Sequence, residues 1–421
     1  RVRSDHRPSA SLDGREHRAS MSPGTEPLTV LHFMPDLALG GGQQVLLRHL
    51  PHFIAGGTKQ VVVYFGVDDT LRAVFEAAGA TTVHVPHRGL RDWPRTYRRL
   101  MRLIDEERVD VLHTNGTLID KLTGHLSSLA TDKPMVTTLH GVRPAPFSLP
   151  NRPWELPEYL SEKAGRHLER FWEPRTLNQF VAVSDAVREN WRSYLDALGA
   201  PPDRVRVIYS GVPVERFADP DQGAIARTKR ELRLHSGPVL ISVGRFHRGK
   251  NLHVLPDVVA LLKSMHPGTQ LLMVGDGDEE ESLRAQVARL GLEDSVHFLG
   301  LRTDVEVLFG VADMFLFPSG QEGFGLVVIE ALAAGLPVVT TRLPSLEKLW
   351  SRDLGIELAD AISPEAFAAA AERIAADIDG AKAKAAAGQS AVRDEWSAAS
   401  SAAKYLELYR EIRDQPRGFR R

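Results

Sequence analysis

Two glutamates, Glu322 and Glu330, flank a glycine-bearing turn in the stretch Pro318-Ser319-Gly320-Gln321-Glu322-Gly323-Phe324-Gly325-Leu326-Val327-Val328-Ile329-Glu330-Ala331. Gly323 and Gly325 let the backbone approach a ligand closely. The unpaired N–H groups that open the following helix favour an anion such as phosphate. A carboxylate repels phosphate but accepts paired hydrogen bonds from a sugar diol. The combination fits a ligand that carries both, a diphosphate with a sugar at each end and one glutamate per sugar. Taken in isolation, Glu322 would read as a helix cap and Glu330 as a solvated helix residue.

A second set of residues is cationic. Gly244-Arg245-Phe246-His247-Arg248-Gly249-Lys250-Asn251 follows the apolar run Pro238 to Val243. Its glycine and lysine spacing approaches a P-loop, but Asn251 stands where a Ser or Thr would hold magnesium. Arg245 and Lys250 remain as charge-assisted donors, suited to a diphosphate and to the charge that develops on it as it leaves. Gly40-Gly41-Gly42, ahead of a helical pattern from Gln43 to Ile54, offers another close backbone approach. Gly275-Asp276-Gly277-Asp278 has a metal-like acidic spacing, but it reads as a turn before a solvated helix, and no metal is expected.

The elements that must position these residues alternate. From Leu28 onward short apolar runs exchange with helical patterns, which argues for parallel α/β sheets. Strands are expected at Leu28 to Met34, Val61 to Phe65, Thr82 to Val85, Val109 to Thr114, Met135 to His140, Phe180 to Ser184 and Val205 to Tyr209. A second series runs through Pro238 to Val243, Leu271 to Val274, Val296 to Leu299 and Asp313 to Phe317. Leu326 to Ala334 is expected to be a helix, closed by Gly335 and Pro337. Ligands of open parallel sheets sit at the carboxyl ends of strands. Asn115 and His140 follow two such ends, while His113 is expected to pack. Ser184 with Asp185 reads as a helix cap.

The pattern Pro-Ser-…-Glu-Gly-Phe-Gly-Leu-…-Glu-Ala-…-Ala-Ala-Gly-…-Pro-Val-Val, with the Arg245 and Lys250 spacing, resembles the retaining glycosyltransferases of family 4. The resemblance extends from Leu28 to Arg413 and is most specific between Pro238 and Thr341. It implies the GT-B fold: two Rossmann-like domains facing across a cleft, with a C-terminal helix crossing back to the first. The implied divisions are an acceptor-side domain at 28–210, a linker at 211–236, a nucleotide-sugar domain at 237–390, a cross-over helix at 391–413 and a tail at 414–421.

The same resemblance implies transfer of a sugar from a nucleotide-diphosphate sugar, expected to be a UDP-sugar, to an acceptor hydroxyl with retention. That donor is a substrate, and no cofactor is expected. Arg245, Lys250, Glu322 and His140 take the catalytic roles. Gly41, Gly42, Leu301, Arg302, Glu322, Gly323, Phe324, Gly325, Leu326 and Glu330 are implied donor contacts, and Asn115, His140 and Ser184 lie on the acceptor side. Asn115 replaces a histidine of the usual pattern, and Ser210 an asparagine. The acceptor is a sugar, glycolipid or small molecule. Cell-envelope or exported polysaccharide and glycolipid synthesis is the first reading. A soluble natural-product acceptor and a catalytically silent nucleotide-sugar-binding protein are the alternatives.

Composition narrows the setting. The net charge of −2 over 421 residues gives no bulk attraction for nucleic acid. The absence of cysteine removes disulfides, thiolate metal sites and a cysteine nucleophile, and it fits the cytoplasm. No apolar run approaches the ~18 residues of a membrane-spanning helix. The basic pattern Arg88 to Arg108, with Arg91, Arg95, Arg98, Arg99 and Arg102, is a candidate peripheral contact with the inner membrane face. Its plainer role is to pack Leu100, Leu103 and Ile104 on the sheet. Arg143 to Leu177 carries Pro144, Pro146, Pro150, Pro153 and Pro157, so its first half is not regular helix. It is expected at the cleft mouth, where acceptor specificity would lie. Residues 1–27 are polar, lack a secretory apolar segment and are expected to be a disordered leader, with Met21 as a candidate start.

Overall fold

The computed structural model describes residues 27–38, 40–86, 92–115, 118–142, 178–197, 202–234 and 237–414. Arg91, the proline-rich segment Arg143 to Leu177, the leader up to residue 26 and the tail from 415 lie outside them.

The described residues build two parallel sheets. The first contains β1 (Leu28–Met34), β2 (Thr58–Tyr64), β3 (Thr81–His84), β4 (Val111–Thr114), β5 (Met135–Leu139), β6 (Asn178–Ala182) and β7 (Val205–Val207), in the order β3-β2-β1-β4-β5-β6-β7. The second contains β8 (Val239–Val243), β9 (Gln270–Val274), β10 (Val296–Phe298), β11 (Met314–Phe317), β12 (Val338–Thr340) and β13 (Ile356–Leu358), in the order β10-β9-β8-β11-β12-β13. Their apolar runs are continuous rather than alternating because helices cover both faces. Val61, Val62 and Val63 are all fully buried. The fold is the GT-B arrangement of two Rossmann-like domains.

Each sheet changes direction of winding once, and the crevice at that point is where a ligand fits. In the first sheet this is between β1 and β4, which pair directly. The Gly40 to Gly42 turn follows β1, and Asn115 follows β4. In the second sheet it lies between β8 and β11, also paired. The Arg245 to Lys250 loop leaves β8, and the Glu322 to Glu330 stretch leaves β11. Topology alone therefore brings the cationic and acidic motifs together.

Three boundaries differ from the sequence reading. Strand β2 begins at Thr58 rather than Val61, because Thr58 and Gln60 are buried polar residues with internal partners. The segment 211–236 carries the helices Val214–Ala218 and Gln222–Glu231, the latter capped by Asp221, which accepts from the Gly223 and Ala224 N–H groups at 2.7 and 3.1 Å. They pack on the second domain through Phe217 on Phe309 at 5.9 Å, on a face diluted in the sequence by many charges. The cross-over helix starts at Ala398, not near 391. The helix Ile378–Glu395 runs up to Trp396, which is buried and interrupts it. There Val212 donates to the Trp396 carbonyl at 2.9 Å, and Ala398 donates to the Val212 carbonyl at 2.8 Å.

The cross-over helix Ala398–Asp414 buries Ala402, Tyr405, Leu406 and Tyr409 in the core of the first domain. Its tyrosines also reach polar groups of that domain. Tyr409 Oη lies 2.6 Å from His113 Nδ1, and Tyr405 Oη lies 3.0 Å from Thr138 Oγ1. His113 is thus a packing residue.

Candidate active site

Strand β11 ends at Phe317, and the chain then turns through Gly320, Glu322 and Gly323 before the helix Leu326–Ala333. Gly325 at φ +76° makes the entry, a left-handed conformation that L side chains rarely adopt. The helix is short and apolar, so Val328, Ile329, Ala331 and Leu332 bury it in the core and fix its direction. Leu326 stands half-buried at its start, while the Phe324 side chain packs inward on Tyr209 at 5.0 Å. Only the backbone of Phe324 is left to face a ligand.

The Arg245 to Lys250 loop is held against that turn by backbone and side-chain bonds. Asn251, left-handed at φ +52°, donates from Nδ2 to the Pro318 carbonyl at 3.1 Å. Gly320 donates to the Gly249 carbonyl at 3.4 Å. This brings Lys250 Nζ into an ion pair with Glu322 and over the Phe317 ring at 5.6 Å. Arg245 is exposed, and no partner holds its guanidinium among the described residues. A neighbouring turn supports the loop from below. A Cβ at Gly275 would lie 2.0 Å from the Gly244 carbonyl, and one at Gly277 would lie 2.4 Å from the Phe246 carbonyl. Phe246 N–H donates to the Asp276 carbonyl at 2.6 Å. The Gly275-Asp276-Gly277 stretch is thus a turn packed under the loop.

The first domain supplies the opposite wall. His140 follows β5, and its Nε2 lies 3.3 Å from Asn115 Oδ1, so the Nε2–H tautomer donates there. Asn115 in turn donates from Nδ2 to the Phe33 carbonyl at 3.2 Å. Burial lowers the His140 pKa to about 4, so its imidazole is neutral near pH 7. Gly42 lies at the start of the helix Gly41–Ala55 beside this ring; a Cβ there would stand 3.6 Å from Nε2. A Cβ at Gly41 would meet open space.

The two walls touch. Ser184 caps the helix Asp185–Ala197 by accepting from Val187 N–H at 3.2 Å. Its hydroxyl also donates to the Gly323 carbonyl of the other domain at 2.6 Å. A Cβ at Gly323 would lie 2.0 Å from the His140 carbonyl. Ser184, His140, Gly42, Gly323, Glu322 and Lys250 therefore form one continuous surface. Leu301 and Arg302 are less directly engaged. Leu301 is exposed, and Arg302 spends its guanidinium on Asp304 at 2.6 and 2.8 Å. Their turn adjoins the loop through Gly275 N–H, which donates to the Gly300 carbonyl at 2.8 Å.

Sequence reasoning missed three contacts that join the domains here. Arg48 of the helix Gly41–Ala55 pairs with Glu330. Lys348 Nζ reaches Asp185 at 2.8 Å, and Tyr209 Oη donates to the same carboxylate at 2.5 Å. Each partner is remote in the chain, and no local periodicity marks it.

Comparison with known proteins agrees with this geometry. The description "Glycosyl transferases group 1" matches residues 225–391, and "Glycosyltransferase Family 4" matches residues 39–216. A D-inositol 3-phosphate glycosyltransferase of Xylanimonas cellulosilytica is 30% identical over 71% of this chain and 71% of its own. The chain belongs to the family 4 glycosyltransferases. Other curated relatives match over less. The chain spans 52% of the Corynebacterium urealyticum D-inositol 3-phosphate glycosyltransferase, 32% identical over 51% of this chain. It spans 40% of the lipopolysaccharide core biosynthesis glycosyltransferase LpsE of Rhizobium meliloti, 37% identical over 33% of this chain. Among solved structures, Anabaena HepE in complex with UDP and glucose superposes with a TM-score of 0.77 at 20% identity, covering 91% of this chain and 100% of that one. WaaG, a glycosyltransferase involved in lipopolysaccharide biosynthesis, superposes at 0.68 with 18% identity, covering 90% and 99%.

Proposed function

We propose that the protein moves a sugar from a nucleoside-diphosphate sugar, a UDP-sugar in the first instance, to an acceptor hydroxyl with retention of anomeric configuration. The observation that carries this reading is the Lys250–Glu322 pair beside the Gly323 to Gly325 turn, facing His140 across the cleft. Lys250 and Arg245 hold the diphosphate, and Lys250 keeps spare N–H donors beyond the one given to Glu322. Glu322 orients the donor sugar, and Glu330 accepts from the ribose hydroxyls. As the bond from the anomeric carbon to the diphosphate breaks, Arg245 and Lys250 stabilise the charge that develops on the leaving oxygen. The acceptor oxygen bonds the same carbon on the same face, and its proton passes to the departing phosphate. Neutral His140 donates a hydrogen bond to a sugar or acceptor hydroxyl and carries no charge that would compete with the cations.

Envelope glycoconjugate synthesis is the first setting, in keeping with relatives named for lipopolysaccharide core biosynthesis and for phosphatidyl-myo-inositol mannosyl transfer. No helix among the described residues is long and apolar enough to cross a membrane. The helix Trp93–Glu106 exposes Arg95, Arg98, Arg99 and Arg102, which suits a peripheral approach to an anionic lipid surface from the cytoplasm. A soluble polar acceptor is the second reading, favoured by the relatives named for D-inositol 3-phosphate.

Thermal unfolding against UDP, GDP, ADP and TDP tests the donor. A nucleotide at 100 times its dissociation constant should add about 2.7 kcal/mol of stability. A shift with UDP above the others supports the reading, and no shift with any of them overturns it. The anomeric configuration of a product made from a UDP-sugar then tests retention.

A further inference from the structure

Glu330 already has a partner in the empty cleft. It stands only 8% exposed on a helix of the second domain. Its Oε1 is ion-paired with Arg48 Nη2, from the first domain. The two side chains are 19% and 10% exposed, so water competes weakly for either charge. The other terminal nitrogen of Arg48, Nη1, is buried without a partner among the described residues. Nothing in the first-domain core requires this arginine. Its ordered contact is with the carboxylate assigned above to the ribose, and the pair bridges the two domains.

We propose that Arg48 fills the ribose subsite of the ligand-free protein, and that a nucleotide binds by exchanging its ribose diol for the Arg48 guanidinium at Glu330. This rests on the donor-site reading above. The diol brings two O–H donors to a carboxylate that has to give up a charged N–H. The exchange breaks the Arg48–Glu330 bridge as the substrate arrives. Affinity for the nucleotide is then lower than an unpartnered Glu330 would give, and the bridge latches the empty cleft shut. Arg48 is a positioning residue in this scheme, because it acts through Glu330.

The test is UDP affinity by calorimetry on the wild type, Arg48→Met, Glu330→Gln and the double variant, with Arg48→Gln as a second replacement. Arg48→Met should bind UDP roughly tenfold more tightly than the wild type, equivalent to about 1.4 kcal/mol. The same change in the Glu330→Gln background should do nothing, since the charge that Arg48 competes for is gone. A purely structural role would not produce that dependence on Glu330. Small-angle scattering of the ligand-free proteins is the second arm, and Arg48→Met and Arg48→Gln should be more open than the wild type. Weaker or unchanged UDP binding by Arg48→Met, or an equal gain in both backgrounds, overturns the exchange. If no protein binds any nucleoside diphosphate, the donor-site reading fails. The scattering then decides the latch: unchanged dimensions refute it, and an opened variant keeps it as a domain lock.

Discussion

The Ser184 hydroxyl donates to the Gly323 carbonyl at 2.6 Å while accepting from Val187 N–H at 3.2 Å. One side chain thus caps a helix of the first domain and grips the donor-side turn of the second. Loss of the cap alone costs about 1 kcal/mol. Loss of the buried bond to Gly323 adds a similar amount, on the order of 1 kcal/mol. Ser184→Ala is therefore expected to lower stability by about 2 kcal/mol in urea unfolding. It should also reduce kcat/KM, whereas Ser184→Thr, which keeps the hydroxyl, should recover most of the stability. Full stability in Ser184→Ala would mean that the two bonds are not formed together in solution.

Gly323 is constrained from the other side. An alanine there would put its Cβ 2.0 Å from the His140 carbonyl, a backbone atom that has no rotamer by which to retreat. The clash is between domains, so opening the cleft relieves it without unfolding either one. Gly323→Ala should keep nearly wild-type thermal stability, lose about 100-fold in kcat/KM through displaced reacting groups, and show a larger radius of gyration in solution. A variant with wild-type activity would show that the closed contact is not the working one.

How much of this was legible in the sequence follows from where the information sits. The Glu322 to Glu330 turn, the Arg245 to Lys250 loop and most strands were readable because local composition determines them: continuous apolar runs, glycines and a helix start. The two sheets then bring those loops together by strand order, since β8 and β11 are adjacent. Strand β13 was missed because three residues carry too little pattern. The helices within 211–236 were missed because charged residues mask their apolar face, with Phe217 and Ile225 the main anchors. The Arg48–Glu330 pair joins residues 282 positions apart, and nothing around either one announces the other. Contacts that cross the cleft depend on how the domains dock, which no local window encodes.

Lys250 and Glu330 should separate chemistry from binding. Lys250 lies by the leaving diphosphate in the proposed mechanism, so its contribution grows as charge develops. Lys250→Ala is expected to lower kcat by 100-fold or more, roughly the loss of one oxyanion donor, with a smaller change in UDP affinity. Glu330→Gln keeps the shape but weakens the hydrogen bonds to ribose, so UDP affinity should fall about tenfold with kcat changed less. Titration calorimetry with UDP and steady-state rates on the two variants measure the split. Equal effects on both parameters in both variants would contradict the assigned roles.

A last prediction concerns pH. His32, His49 and His113 are buried under the cross-over helix, with His32 and His113 rings 4.9 Å apart and His49 5.6 Å from Tyr405. Burial lowers the pKa of His32 to about 4, despite a hydrogen bond with Gln60 that opposes the shift. Burial likewise lowers His49 to about 3, helped by His52 and Arg48, and holds His113 well below its ordinary value. With His140 at about 4, the four imidazoles are neutral in the folded chain and take up protons on unfolding. A folded pKa below the unfolded one means that the stabilisation is complete above the unfolded value of about 6.5. It is lost progressively as pH falls from there toward 4 and 3, the folded values of His32, His140 and His49. Each imidazole held near 4 contributes on the order of 3 kcal/mol across that window. Stability should therefore decline steeply between about pH 6.5 and 4, with the cross-over helix losing amide protection as the cluster takes up charge. His49 Nε2 has no partner among the described residues, so His49→Leu removes a titrating group without stranding a hydrogen bond at that atom. That variant should show a shallower acid limb than the wild type in thermal unfolding across this range, and an unchanged limb would place the acid sensitivity elsewhere.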